Sequence, residues 1–528
     1  MRTPPFERVL VANRGEIAVR VIRACHELGM EAVAVYSDVD ADAMHVRMAD
    51  AAVRIGPSAP SESYLLVDTI VEVARSTGCG AIHPGYGFLA ERAAFARAVE
   101  DAGIAFVGPS SEAIDALGDK LHARRLARSI GVDPVPGTLE RARIDRPDAV
   151  AGIVAEAEAI GFPVLVKAAA GGGGRGMRRV AGPRDLPAAL SAASAEALSA
   201  FGDGTVYLER EIHPARHIEV QLLGDVTGRV VALGERGCSL QRRHQKLVEE
   251  APAAGLTTEE RRAVHDLAVR IASAAGLRNA ATAEFLRSPD GAFHFLEVNT
   301  RLQVEHGVTE LVSGVDIVQE QFRIAAGEPL SGAVLAAADR AATPNGHAVE
   351  VRLTAEDPSR DFLPTPGTLG RWVMPSGPGV RVDTGLADGD RIPSEYDNLI
   401  AKIMVHGPDR DTALDRLDRA LGEVEVAGVQ TTLPFHQWVA RDVDFRAGDL
   451  STEWVGEHWD GPAQRSLVAE RAATLAALAV LETGSGPSST AAGTDPPNSR
   501  IGRGDAGGSR MSGWGTAARE AAVDRWPR

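Results

Sequence analysis

The stretch Val-Leu-Val-Lys-Ala-Ala-Ala-Gly-Gly-Gly-Gly-Arg-Gly-Met, residues 164–177, joins a short strand pattern to a glycine-rich loop. A strand that delivers Lys167 to such a loop places an ammonium group beside accessible backbone N–H groups, which together can cradle a polyphosphate. The loop is not a Walker A loop, because the lysine precedes the glycines and no Gly-Lys-Ser/Thr follows them. We therefore predict that Lys167, Gly172, Gly173 and Gly174 bind phosphates; a flexible linker is the alternative.

The residues before this stretch predict a parallel sheet. An apolar run at 9–12, a helical pattern at 17–28 and a strand pattern at 32–36 form a βαβ unit. A second helix pattern at 64–76 is followed by strands at 81–82 and 104–107. Residues 1–115 are therefore predicted to form a doubly wound α/β domain.

The rest of the chain divides by its patterns into three further parts. Residues 116–332 are predicted to form a phosphate-binding domain, in which about 133–204 form a mobile lid between a helix at 120–129 and a strand at 206–209. Residues 345–455 are predicted to form an α+β domain with strands at 349–353, 368–373 and 379–382 and a helix at 412–424. Residues 456–528 are predicted to hold a helix at 463–482 and a disordered tail rich in Gly, Ser, Ala, Pro and Arg.

Composition excludes several classes of function. The net charge is 56 − 72 = −16, which argues against nucleic-acid or anionic-membrane binding. The three cysteines form no Cys-x-x-Cys pair, which favours a reducing compartment over a disulfide framework or a zinc site. The start of the chain has no apolar segment of the kind found in signal peptides, and the longest late apolar run, 475–481, is too short to span a bilayer. We expect a cytoplasmic protein.

Lysine is rare in this chain. Only Lys120, Lys167, Lys246 and Lys402 occur, beside 52 arginines. Arginine cannot replace a compact ammonium that meets a phosphate as a point charge, so the retained lysines are candidate ligand contacts. Accidental scatter is the alternative.

Carboxylates on two predicted strands suggest a metal site. Alternation over 293–299 places Glu297 and Asn299 on one face, and Glu284 lies on what reads as the neighbouring strand. Oxygen ligands of this kind suit Mg²⁺ or Mn²⁺ bridging nucleotide phosphates. Alone, such a pattern more often marks a solvated face; beside a phosphate loop, the metal interpretation is favoured.

Two polar segments complete the set. Arg301 and Glu305 flank Gln303, and a carboxylate beside an arginine and a metal is suited to act as general base on a small anion. A surface ion pair is the alternative. Residues 241–246 crowd Arg242, Arg243, His244 and Lys246 together and predict a local anion site, with a nucleic-acid patch as the competing interpretation.

Taken together, the motifs resemble the biotin carboxylase component of biotin-dependent carboxylases, in the ATP-grasp superfamily. The resemblance covers residues 6–455. It rests on the ordered series 12–18 (Ala-Asn-Arg-Gly-Glu-Ile-Ala), 82–89 (Ile-His-Pro-Gly-Tyr-Gly-Phe-Leu), 118–120 (Gly-Asp-Lys), the Lys167 loop, 241–246, and 297–306 (Glu-Val-Asn-Thr-Arg-Leu-Gln-Val-Glu-His).

The resemblance implies a reaction. ATP phosphorylates bicarbonate to carboxyphosphate, which releases CO₂; the remaining phosphate deprotonates biotin, and the biotin enolate attacks CO₂. It also implies residue roles: Lys120, Lys167, the glycines, Glu209, His217, Gln241 and His244 for ATP; Glu284, Glu297 and Asn299 for two Mg²⁺ or Mn²⁺ ions; Glu305 as base; Lys246, Arg301, Gln303 and Val304 around bicarbonate; Arg352 against the biotin enolate; Tyr86 near biotin; and a structural role for Lys402.

The resemblance further implies partners. No lysine follows Lys402, so we expect biotin on a separate carrier protein, with carboxyltransferase subunits and a homodimer of this chain, as in acetyl-CoA carboxylase of fatty acid biosynthesis. Two departures from the family pattern, Gly237 for aspartate and Arg92 for asparagine, remove no residue assigned to chemistry. Two other functions stay open: another ATP-grasp carboxylate–amine ligase, and a non-catalytic ATP-grasp subunit.

Overall fold

The parallel sheet predicted at the start of the chain is present in the computed structural model, which describes residues 3–144, 147–169 and 177–483. Its strand order is β3-β2-β1-β4-β5, all parallel. The strands are Arg8–Val11 (β1), Glu31–Ser37 (β2), Ala51–Gly56 (β3), Ala81–His83 (β4) and Ala105–Phe106 (β5). The helices are Gly15–Glu27 (α1), Met44–Met48 (α2), Val67–Ser76 (α3), Ala93–Asp101 (α4) and Ser111–Gly118 (α5).

The strand order reverses between β1 and β4, and ligand crevices in such sheets lie beyond the carboxyl ends of strands at this point. Asn13, just after β1, donates from Nδ2 to the carbonyls of Pro84 at 2.7 Å and Tyr86 at 2.8 Å. The turn after β4, which carries Tyr86, is therefore held against the turn after β1.

A small α/β unit follows, with its own apolar core. Its sheet has the order β7-β6-β8, and Val164, Val166, Leu190 and Leu208 are completely buried in it. Its elements are Pro147–Ile160 (α7), Val164–Ala168 (β6), Arg178–Val180 (β7), Leu186–Phe201 (α8) and Val206–Arg210 (β8). The preceding helix, Lys120–Ser129 (α6), packs instead in the core of the central part through Ala123 and Ala127. The predicted phosphate ligands Gly172, Gly173 and Gly174 lie outside the described residues.

A second, antiparallel sheet runs through the two remaining domains without interruption. Its strands, in spatial order, are Phe293–Asn299 (β13), Asn279–Arg287 (β12), Arg216–Gly224 (β9), Val230–Arg242 (β10), Gln245–Ala251 (β11), His347–Thr354 (β14), Leu399–Gly407 (β21) and Val380–Thr384 (β19). Strand β11 pairs with β14 through Val248↔Val351 and Glu249↔Glu350. The sequence patterns predicted a domain boundary at about residue 340. In the structure, backbone hydrogen bonding crosses that division, because β11 would otherwise be an open edge.

The elements of the central part are Arg216–Gly224 (β9), Val230–Arg242 (β10), Gln245–Ala251 (β11), Thr258–Ala274 (α9), Asn279–Arg287 (β12), Phe293–Asn299 (β13), His306–Ser313 (α10), Ile317–Ala325 (α11) and Gly332–Arg340 (α12).

The last part contains His347–Thr354 (β14), Glu356–Asp357 (β15), Leu363–Pro364 (β16), Gly367–Thr368 (β17), Arg371–Val373 (β18), Val380–Thr384 (β19), Arg391–Ile392 (β20), Leu399–Gly407 (β21), Arg410–Glu423 (α13), Glu425–Ala427 (β22), Leu433–Val439 (α14), Val443–Ala447 (α15), Trp454–His458 (α16) and Gly461–Thr483 (α17). The single strand predicted at 368–373 is wrong: β17 pairs with β20 and β18 with β22. Leu369 is buried between them, while the chain turns at Gly370.

These elements confirm the predicted fold class, an α/β domain followed by α/β and α+β parts. The chain divides into residues 1–465 and 466–528, and of the second unit the structure describes only the helical residues 466–483. The predicted tail beyond them lies outside the described range. No helix in the described ranges has the length and apolar character needed to cross a membrane.

Candidate active site

A cavity of about 1660 Å³ opens in the first unit, and most predicted site residues line it. They come from segments far apart in sequence: Tyr86, Lys120, Lys167, Glu209, His217, Gln241, His244, Lys246, Glu284, Glu297, Asn299, Arg301, Gln303, Val304 and Arg352. Glu305 lies behind this wall and is completely buried. Lys402 is also completely buried and does not line the cavity.

Two lysines mark one end of the cavity. Lys120 is the first residue of α6, and Asp119 caps that helix by accepting from the amides of Leu121 and His122 at 3.0 Å. The cap fixes Lys120, whose Nζ lies 2.7 Å from the carboxylate of Glu297. Lys167 on β6 pairs with Glu209 on the adjacent strand β8.

Glu209 is itself held from behind. Nη1 of the completely buried Arg124 donates to it at 2.9 Å, while Nη2 of Arg124 donates to the carbonyl of Val135 at 2.6 Å. Burial alone would raise the pKa of Glu209, but Lys167 and Arg124 together lower it. Lys167 thus rests on a fixed carboxylate and faces the cavity.

Glu284 is the centre of the oxygen-rich wall. It lies on the strand next to β13, as expected, and the structure places it directly opposite Glu297. Its Oε1 accepts from Nδ2 of Asn299 at 2.7 Å and lies 3.1 Å from Nζ of Lys246; its Oε2 lies 3.0 Å from Nε2 of His217. Burial raises its pKa, but Lys246 and His217 outweigh burial and the net pKa is low.

This donor set fits a hard divalent cation. Two carboxylates and an amide oxygen on adjacent strands are the ligand types that Mg²⁺ and Mn²⁺ take in proteins. Lys120 and Lys246 now neutralise these carboxylates. A cation at Glu284 and Glu297 would displace or supplement those ammonium contacts.

Glu305, which immediately precedes α10, is a completely buried acid. Its Oε1 accepts from Nζ of Lys246 at 2.7 Å, and its Oε2 accepts from Nη2 of Arg352 at 2.9 Å. Burial raises the pKa of Glu305, but Lys246 and Arg352 outweigh burial and hold it well below the ordinary value. The carboxyl group is therefore ionised, which a base requires before it can take a proton.

Arg352 on β14 is held by two carboxylates. Its Nε donates to Oε1 of Glu249 at 2.6 Å, in addition to the contact with Glu305. Glu249 lies on the neighbouring strand β11, directly opposite the completely buried Glu350. Burial, together with Glu305, raises the pKa of Glu249 to about 7 even though Arg352 lowers it.

Tyr86 is positioned from the first domain. Its hydroxyl donates to the carboxylate of Glu16, near the start of α1. Both side chains line the cavity, and Tyr86 lies close enough to Arg352 for the positive charge to act on its hydroxyl. Gln241, which also lines the cavity, donates from Nε2 to Nδ1 of His217 at 2.7 Å.

The structure does not assemble the cation cluster at 241–246 as one anion site. Arg242 and Arg243 both pair with Asp361, and Arg242 also covers the ring of Phe362 at 4.8 Å. They turn away because successive strand residues alternate between faces and the chain reverses at Arg243 and His244, both with positive φ. Of this cluster, His244 and Lys246 face the cavity.

Arg301 likewise does not pair with Glu305. Its Nε donates to Glu91 at 2.9 Å and its Nη1 to the side-chain oxygen of Gln303 at 2.6 Å. The arginine beside Glu305 is Arg352, brought from a different domain.

Several buried charged residues behind the cavity were missed by sequence reasoning. Glu219 accepts from Nε of Arg236 at 2.5 Å and pairs with Lys246; neither Glu219 nor Arg236 is exposed. The sequence pattern that could have revealed Glu219 is the alternation of polar and apolar residues in β9, where His217, Glu219 and Gln221 occupy alternate positions. Glu249 is harder to identify from the sequence, because a second glutamate follows it and the pattern does not alternate. This second residue, Glu250, faces the opposite side of the sheet and pairs with His347 and Arg410.

Three family models match the chain in order. They are "Biotin carboxylase, N-terminal domain" over residues 5–114, "Carbamoyl-phosphate synthase L chain, ATP binding domain" over 119–333, and "Biotin carboxylase C-terminal domain" over 350–457. The biotin carboxylase of Nostoc sp. is 46% identical over 452 residues, which cover 86% of this chain and 99% of the relative.

The chain belongs to the biotin carboxylase family. Biotin carboxylase 1 of Bacillus subtilis is also 46% identical over 451 residues, covering 85% of this chain and 98% of that protein. A pyruvate carboxylase subunit of Methanothermobacter thermautotrophicus is 48% identical over 456 residues, 86% of this chain and 91% of the relative.

A solved structure of a biotin carboxylase shares this fold. The biotin carboxylase domain dimer of Hydrogenobacter thermophilus 2-oxoglutarate carboxylase, in complex with MgADP, ADP and bicarbonate, superposes with a TM-score of 0.81 and is 45% identical, covering 86% of this chain and 98% of that one. The expected family and enzyme class, an ATP-grasp ligase that couples ATP to the carboxylation of biotin, are therefore confirmed for this chain.

Proposed function

We propose that this chain carboxylates protein-bound biotin with bicarbonate, through carboxyphosphate, using the residues of the cavity described above. The observation that carries the proposal is the convergence of phosphate-type lysines, a cation-type carboxylate pair and a buried base on one cavity. The related structure that holds MgADP and bicarbonate supports the same set of ligands.

We assign the phosphate end to Lys120 and Lys167. Glu209 and Arg124 hold Lys167, and the α6 cap holds Lys120, so both ammonium groups are preorganised for anionic oxygens. Glu284, Glu297 and Asn299 would hold Mg²⁺, or Mn²⁺ in its place. A bound divalent ion supplies charge neutralisation at the phosphates.

We assign proton removal from bicarbonate to Glu305. The carboxylate takes the bicarbonate proton, and the resulting oxyanion attacks the γ-phosphorus of ATP with loss of ADP. A bicarbonate ion that draws Lys246 and Arg352 toward itself weakens their hold on Glu305, which raises its pKa and makes it a better base at that moment.

We assign the biotin side to Arg352 and Tyr86. When carboxyphosphate breaks down to CO₂ and phosphate, the phosphate removes the ureido proton and negative charge develops on the ureido oxygen. The Arg352 guanidinium, held by Glu249, is the fixed positive charge on this side of the cavity.

We further propose a carrier and a partner set outside these residues. No lysine follows Lys402 within the 528 residues, so the biotinylated lysine belongs to a carrier beyond them. Relatives named as subunits of pyruvate carboxylase and of an acyl-coenzyme A carboxylase support assembly with carrier and carboxyltransferase components. The dimer of the related biotin carboxylase domain supports a homodimer.

We also propose a cytoplasmic site of action and a lid over the nucleotide. Cys25, Cys79 and Cys238 are free and buried, as suits a reducing compartment. The unit that carries β6 has a core of its own, which suits its movement as a body over bound ATP.

One assay separates this function from its alternatives. ATP cleavage by the purified chain with Mg²⁺ should require bicarbonate and should rise when free biotin is added. ATP cleavage that ignores bicarbonate but responds to a carboxylate and an amine would indicate another ATP-grasp ligase. No cleavage under any of these conditions would indicate a non-catalytic subunit.

A further inference from the structure

Lys402 is a fully buried ammonium at the junction of three domains. Its Nζ donates to the carbonyl of Val304 at 2.8 Å and lies 3.3 Å from Glu16 and 3.8 Å from Asp383. These partners come from α1, from the loop before α10 and from β19. A buried charge is costly unless it is paired and hydrogen-bonded, so these contacts define one position for the ammonium.

The hydrogen bond to Val304 acts one residue away from Glu305. Glu305 itself makes no side-chain cap on α10, and its carboxylate points instead to Lys246 and Arg352. The peptide between Val304 and Glu305 therefore sets where the carboxylate can reach, and Lys402 holds the carbonyl of that peptide.

The other contact of Lys402 leads to the first domain. Oε1 of Glu16 lies against both Nζ of Lys402 and the hydroxyl of Tyr86. The carboxylate of Glu16 thus links Tyr86, which we assign to biotin, to Lys402, which holds the peptide before the proposed base.

We propose that Lys402 is a positioning residue that holds the Val304–Glu305 peptide in register for proton removal from bicarbonate, and that Glu16 ties this peptide to Tyr86. This inference rests on the proposed function. A misplacement of the base by about 1 Å can cost roughly 10²-fold in rate. The competing explanation is that Lys402 only neutralises the buried acids Glu16, Asp383 and Glu350.

Two variants separate these explanations. Lys402→Met removes the ammonium while keeping the length of the side chain, and Lys402→Met combined with Glu16→Gln also restores the local charge balance. Glu16→Gln alone keeps the hydrogen bond to Val304. Arg410→Met is the matched control, because Arg410 is a partly buried cation that pairs across the boundary between the central and last domains, with Glu250 at 2.7 Å, and does not line the cavity.

The measurements are kcat/KM for bicarbonate in biotin-independent ATP cleavage, KM for ATP, melting temperature, and crystal structures of the variants. We expect the Lys402→Met variants to lose roughly 10–10²-fold in kcat/KM for bicarbonate, with KM for ATP within about twofold of the wild-type value. Glu16→Gln alone should lose less, and Arg410→Met should lower the melting temperature without this bicarbonate effect.

Wild-type kinetics in the charge-balanced double variant, or an equal bicarbonate effect in Arg410→Met, would overturn the inference. A crystal structure of Lys402→Met with the Val304 carbonyl and the Glu305 carboxylate in their wild-type places would also overturn it, whatever the activity. A wild-type enzyme whose ATP cleavage ignores bicarbonate would instead refute the proposed function, while the crystal structures still decide the positioning role.

Discussion

Nη2 of Arg352 donates to Oε2 of Glu305 at 2.9 Å, so the proposed enolate stabiliser and the proposed base share one buried ion pair across a domain boundary. β14 supplies the arginine, and the residue just before α10 supplies the carboxylate. Each residue therefore stabilises the charged form of the other. Substitutions at the two positions should separate proton removal from bicarbonate from the carboxylation of biotin.

Glu305→Gln should abolish bicarbonate-dependent ATP cleavage. The amide oxygen can still accept from one of Lys246 and Arg352, while the amide NH₂ cannot accept from the other. The amide cannot take a proton, and a general base contributes about 10²–10⁴-fold. Nucleotide binding, followed by fluorescence or calorimetry, should stay near wild type. Turnover close to the wild-type rate in a correctly folded variant would contradict the assignment.

Arg352→Gln should depress carboxylation of biotin far more than ATP affinity. Charge on the ureido oxygen develops only as the enolate forms, so the guanidinium acts in the transition state. The comparison is biotin-dependent carboxylation against slow bicarbonate-dependent ATP cleavage without biotin, with free biotin or a biotinylated carrier supplied. Equal loss of both, together with a lower melting temperature, would mean that Arg352 is structural.

Glu249→Gln should change how stability depends on pH. The pKa of Glu249 is raised to about 7 in the folded protein, above the ordinary glutamate value, so the folded state holds this proton more tightly than the unfolded chain. The wild type should therefore lose stability relative to Glu249→Gln as pH rises from about 4.5 to 7, and no further above it. Melting temperatures of both proteins across this range test the prediction, and parallel curves would contradict it.

Glu297→Gln should raise the Mg²⁺ concentration that half-saturates ATP cleavage by about tenfold or more, because a carboxylate ligand is replaced by a neutral amide. Chelation of divalent ions should stop ATP cleavage in the wild type. Glu395→Gln is the control, since Glu395 lies on the same cavity but away from the β12–β13 strands. A metal dependence equal in the two variants would remove Glu297 from the ligand set.

Sequence alone identified the family, the fold class and fifteen of the residues that line the cavity. Local features were sufficient for this: the strand pattern that ends at Lys167, the alternation that puts Glu297 and Asn299 on one face, and the ordered motifs of the resemblance. Period-two and helical patterns are properties of neighbouring residues, so they can be read without knowing how the segments meet.

The tertiary structure decided which charges face each other. Arg301 pairs with Glu91 and not with Glu305, and Arg242 turns to Asp361, although both arginines stand beside site residues in sequence. The partner of Glu305 comes from β14 only because β11 and β14 join two domains into one sheet. A buried charge is stable only beside its counterion. Non-local strand pairing determines which counterion lies beside each buried charge, and local sequence patterns do not specify that pairing.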